Sequence, residues 1–147
     1  METMEIMEVA VATEELLHKV LTATTGNPFE LDGARVYGVE NGETFLIDTH
    51  YDIYDLLDDE ECRADAKAYS HVAVVTSGWA APLNAQGEVE GAPSQHPSRR
   101  RVRLVITANA EGVASVMRFS DTPDEVITDP GQATGSLADA IREFVAE

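Results

Sequence analysis

RVRLVITANAEGVASVMRF, residues 101–119, holds two runs in which side chains alternate, joined by a short polar turn. An alternation with a period of two is what a strand requires. With the turn at residues 109–112, Ala108 lies opposite Val113, Val105 opposite Val116, Leu104 opposite Met117 and Arg103 opposite Arg118. Arg101 shares a face with Arg103, so three guanidinium groups are expected on one side of a sheet. Directly opposed like charges cost a few tenths to about 1 kcal/mol, so something negative is expected to lie over them. A slip of one residue would send every side chain to the other face, which makes the register decisive.

Upstream, HVAVVTSGW (71–79) is a nearly continuous apolar run and is expected to form a central strand covered on both faces. Between it and the hairpin, residues 80–98 carry three prolines and two glycines with no period, and read as one long loop. GARVYGVENGETFLIDT (33–49) reads as another hairpin around Asn41-Gly42. A two-residue turn there opposes Glu40 to Glu43, Gly38 to Phe45, Val36 to Ile47 and Arg35 to Asp48. The Phe45 ring is then placed to cover the strand glycine.

Three segments carry helical periodicity. In residues 13–28 Thr13 can cap the start, Leu16, Leu17, Val20 and Leu21 form the stripe, and Gly26 and Pro28 end it. Residues 50–69 read as a helix broken near its middle, with Ile53, Leu56, Leu57, Ala64 and Ala68 inward and Asp52, Asp55 and Asp59 as an acidic ridge. Residues 135–147 end the chain with Leu137, Ala140, Ile141, Phe144 and Val145 on one face, and Ser136 with Asp139 resembling a capping box. The expected class is α+β: one domain over 1–147, residues 1–8 a flexible tail, and a mostly antiparallel five-stranded sheet with N-terminal, middle and C-terminal helices. This element order resembles the roadblock, profilin, GAF and PAS group of folds, without a residue motif of any of them. That resemblance implies a ligand-sensing or protein-docking module, and by analogy a homodimer.

Charge narrows the partners. The chain has 27 acids against 10 bases, a net charge of −17, yet four of those bases fall at 99–103. Nucleic acid and anionic membranes are not expected partners, because phosphate neutralisation needs Lys and Arg over a wide face. No apolar run is long enough for a membrane-spanning helix, and the acidic start lacks a secretory signal's basic residues, so a cytoplasmic location is expected. The single cysteine, Cys62, sits among acids and is expected to be an inert thiol.

Two anions can answer the arginines. The acids Asp52, Asp55, Asp58 and Asp59 of the middle helix are the favoured internal partners, since a guanidinium fork fits a carboxylate. The other is an external ligand, a small anion or a partner protein, docking at Trp79, Arg99, Arg100, Arg101, Arg103 and Arg118. On this reading the protein is a non-catalytic binding module without a cofactor. The alternative is a small metal-assisted or acid–base enzyme using His50, His71 or His96 with Asp48 and Asp52. Its motifs are absent: there is no His-Glu-x-x-His, no paired cysteines, and VVTSGWA lacks the first glycine of a nucleophile elbow around Ser77.

Overall fold

A helix, α1 (Ile6–Thr25), precedes a hairpin of β1 (Ala34–Glu40) and β2 (Glu43–His50). Two short helices, α2 (Ile53–Leu57) and α3 (Glu60–Ala66), lead to β3 (His71–Ala80), and β4 (Arg100–Asn109), β5 (Gly112–Phe119) and β6 (Val126–Asp129) follow before α4 (Ser136–Val145). The structure, a computed structural model, describes residues 6–27, 29, 33–80, 97, 100–129 and 136–146. All six strands form one antiparallel sheet in the order β2-β1-β3-β4-β5-β6. The class is therefore α+β as expected, with six strands in place of five. The additional strand, β6, is four residues long and pairs Ser115 with Asp129 through Arg118 with Val126.

The decisive register holds. Ala108 pairs with Val113, Val105 with Val116, and Arg103 with Arg118. The apolar run at 71–79 is indeed interior, paired on one side with β1 and on the other with β4. Residues alternate between two differently covered faces. On one, α1 lays Leu17 and Leu21 over Tyr37, Val39, Ala73, Val75 and Val105, and Ala10 over Ala114 and Val116. On the other, α2, α3 and α4 bring Leu56, Leu57, Cys62, Ala66, Ile141 and Phe144 onto Val36, Val72, Val74, Ile106 and Val113.

Three expectations need correction. The first helix starts at Ile6, not Thr13, so residues 6–8 belong to it and not to a tail. The hairpin has the expected Glu40–Glu43 and Gly38–Phe45 pairs, and Asn41 and Gly42 both have positive φ (53° and 79°), as a type I′ turn needs. Between Val36 and Tyr37 the register then shifts, so Val36 meets Asp48 and Arg35 meets Thr49. The expected Val36–Ile47 and Arg35–Asp48 pairs do not form; Arg35 donates to the Tyr37 hydroxyl at 3.3 Å. The middle segment is broken as expected, with Leu56 and Leu57 inward, but Ala64 and Ala68 are exposed with Cys62 and Ala66 buried in their place, and Asp52 and Asp59 do not form a free ridge. Their carboxylates cap α2 and α3, each accepting two backbone N–H groups. Of the loop at 80–98, Ala80 belongs to β3, and residues 81–96, 98 and 99 lie outside the described residues.

Candidate functional site

The arginines come together as the register requires, and their anion comes from α1. Glu14 sits on the helix stripe Ala10, Thr13, Glu14, Leu17, Leu21, at intervals of three and four, so it points at the sheet with the apolar residues. Arg118 grips the carboxylate through two bonds, Nη2 to Oε1 at 2.7 Å and Nε to Oε2 at 2.8 Å, and Arg103 Nη2 bonds to Oε2. Glu14 and Arg103 are both 0% exposed, and Arg118 is buried. The middle-helix acids expected here lie across the sheet, because α2 and α3 pack on the opposite face. Internal pairing is thus the observed arrangement, with Glu14 as the acceptor in place of the middle-helix acids.

Electrostatics follows from this geometry. Burial alone would raise the Glu14 carboxyl, but the Arg118 hydrogen bond and the charges of both arginines hold it below its ordinary value. Burial lowers the Arg103 guanidinium while Glu14 opposes the shift, whereas the Glu14 bond raises Arg118; both stay cationic near neutrality. Two cations share one anion, so the cluster recruits neutral acceptors. Arg118 Nη1 donates to the Pro123 carbonyl at 2.5 Å, and Arg103 Nη1 donates to His18 Nδ1 at 2.9 Å. Burial and then the neighbouring arginines push the His18 pKa down, which keeps that nitrogen an acceptor.

Arg101 lies beside this cluster, half-buried, donating from Nε to the Phe29 carbonyl at 3.0 Å and from Nη2 to Ser77 Oγ at 3.3 Å. Arg100, one residue earlier, faces the other way. It stacks 4.0 Å from the centre of the Phe119 ring and pairs with Asp121 at 2.7 Å. Trp79 stands opposite Arg101 in the β3–β4 ladder; its side chain, Arg99 and His96 lie outside the described residues.

Among the described residues, the members of the metal alternative are not brought together. Asp48 and His50 are at the β1–β2 end where Ala34 pairs with His50, while His71 pairs with Val39 near the opposite end of β1. His50 Nδ1 accepts the Asp52 backbone N–H at 2.9 Å, and Asp52 is occupied in capping. Among the described residues no three His, Cys, Asp or Glu side chains are placed to share a metal. Cys62 is buried, with its thiol pushed up to about 12 by burial and by Asp48, Asp59 and Asp65.

Sequence reading missed a cavity of about 300 Å³ at the far end of β3 and β4 from the arginines. Its floor is Ala66, Val72, Ala108 and Phe144, its rim Arg63, Lys67, Tyr69, Ser70, His71 and Asn109. The rim is ordered by a hydrogen-bond chain. Asn109 Oδ1 accepts the backbone N–H groups of Glu111 and Gly112 at 2.8 and 3.1 Å, which turns its Nδ2 toward His71 Nε2 at 3.2 Å. An amide nitrogen only donates, so His71 Nε2 accepts and the ring proton sits on Nδ1. From there it reaches Ser70 Oγ at 3.1 Å, and Ser70 donates onward to the Val39 carbonyl at 3.0 Å. Burial lowers the His71 pKa despite Glu40 and Glu111, in keeping with this neutral tautomer. No local motif signals the cavity, because its rim joins residues 63–71 to residue 109 only through the β3–β4 register.

Comparison with protein-family models, curated proteins and solved structures gives no match. The described residues form an α+β sheet protein in which a closed ion cluster and an open cavity lie at opposite ends of the β3–β4 pair. Among the described residues, no helix is long and apolar enough to cross a membrane.

Proposed function

We propose that this protein is a non-catalytic binding module that takes a small molecule in the cavity between the start of β3, the end of β4, α3 and α4. The observation that carries this reading is the cavity's construction. An apolar floor lies under a few convergent polar groups, and its volume of about 300 Å³ is at the lower end of the range of small-molecule sites. The hydrogen-bond chain through Asn109, His71 and Ser70 fixes the rim before any ligand arrives, which lowers the ordering cost of binding. Arg103 and Arg118 spend their charge on Glu14, so the proposed ligand site moves from the arginine face to the other end of the strands.

Amide chemical shifts in the full chain, recorded against a small-molecule library, test this. The expected result is a set of compounds that shift Val72, Ala108 and Ala110, raise the melting temperature and emerge chemically unchanged. If the strongest stabilisers instead shift the amides of residues 100–103, the ligand site is at the arginines and this reading fails.

A further inference from the structure

Charge at the cavity runs against the charge of the molecule. Acids outnumber bases 27 to 10 over the chain, yet among the described residues lining this cavity are Arg63 and Lys67 and no Asp or Glu. Neither cation makes an ion pair with any described residue, whereas Arg100, Arg103, Arg118 and Arg142 all do. Their place at the end of α3 suits the helix dipole, which accounts for their position on the helix but not for the lack of Asp and Glu among the described lining residues. Behind the cations the surface turns apolar, with Val72, Ala108 and Phe144 all buried at the floor.

We infer that the cavity accepts a small amphipathic organic anion, its acid group at Arg63 and Lys67 and its apolar body against Val72, Ala108 and Phe144. This rests on the proposed binding function and adds the ligand's chemical class. Ser70 and His71 are committed to their own chain of bonds, so the two cations carry the recognition of charge. A free inorganic anion would leave the apolar floor wet, and a neutral hydrocarbon would leave the cations unused. An aliphatic or aromatic carboxylate, or a phosphate monoester with such a body, satisfies both ends.

Titration calorimetry on the full chain with octanoate, octyl phosphate, octan-1-ol and acetate tests the inference. Octanoate or octyl phosphate should bind one to one, about tenfold or more tighter than octanol, the scale expected for hydrogen bonds to a charged group. Whichever of the two binds tighter assigns the acid group to carboxylate or phosphate. The Arg63→Gln, Lys67→Gln double variant should lose that preference while keeping its circular dichroism and melting temperature, and Arg63→Lys should retain it. Octanol binding as tightly as octanoate, with shifts at Val72 and Ala108, would overturn the anion inference and leave the cavity reading intact. Absence of cavity shifts with every probe, together with stabilisation by other compounds acting at residues 100–103, would overturn both.

Discussion

Glu14 holds two strands to one helix through a single carboxylate. Removing its charge while keeping its shape takes the shared carboxylate from two buried guanidinium groups, and breaking a buried pair in this way costs about 3–5 kcal/mol. Glu14→Gln should lose that much unfolding free energy in urea. Replacing Glu14, Arg103 and Arg118 together with Met or Leu should recover most of it, because the cost lies in the buried positive charge left behind. The need for an anion above Arg103 and Arg118 was legible in strand alternation. Its source was not, because a helix begun at Thr13 makes Glu14 a first-turn acid, whereas a helix begun at Ile6 puts it in line with Ala10 and Leu17. The histidines give a second prediction at this scale. Burial depresses the folded-state pKa of both His18 and His71, so between that value and 6.5 the native state binds fewer protons than the unfolded chain. Their contribution is therefore fully present above pH 6.5 and lost as pH falls through the depressed values. A charged His71 would set donor against donor at Asn109 and would be poorly solvated, an effect that Glu40 and Glu111 oppose. Unfolding free energy measured between about pH 7 and pH 5 should fall less steeply in His71→Gln than in the parent protein. Glu14 adds a separate loss only below about 4.5, its folded pKa being lowered.

The β1–β2 hairpin shows what an element inherits from its sequence and what it borrows from elsewhere. Asn41-Gly42 sets the turn locally, and the pairs next to it follow by counting. Beyond Tyr37 counting fails, because the bulge admits one extra residue on β2, and no residue type there announces it. The cover for Gly38 was expected from Phe45 across the strand. In the structure the ring against Gly38 is Tyr69, from the turn before β3, and Phe45 stacks on that ring with centroids 5.5 Å apart. A methyl group at Gly38 would enter the Tyr69 ring, so Gly38→Ala should cost about 1–3 kcal/mol, as overpacking does. Gly78 is the matched control: a Cβ there meets nothing within 4 Å among the described residues, and its φ is not positive. Gly78→Ala should be neutral or stabilising by up to about 1 kcal/mol, because alanine loses less backbone entropy in a strand. Thermal unfolding of the two variants side by side distinguishes the close approach at Gly38 from a general dislike of alanine in these strands. The strand that sequence reading missed, β6, is only four residues long and follows Pro123 closely, too brief for alternation to be seen.

At the scale of the whole molecule, a net charge of −17 and a buried cluster of two cations with one anion respond to salt in opposite ways. Exposed acids repel one another across the surface, and salt screens that repulsion within a Debye length of about 10 Å at 0.1 M and about 3 Å at 1 M. The parent protein should therefore melt at a higher temperature as sodium chloride rises from about 10 mM to about 0.5 M. Buried pairs are screened much less, so the stability lost in Glu14→Gln should be nearly the same at both ends of that range. The comparison also separates the two ends of the β3–β4 pair. Arg103 and Arg118 are closed off from solvent with their carboxylate, whereas Arg63 is half-buried and Lys67 exposed, so salt should weaken an anion held at the cavity. A Glu14→Gln deficit that shrinks markedly in salt would mean that water reaches the cluster, and the α1 face would then be held by its apolar contacts alone.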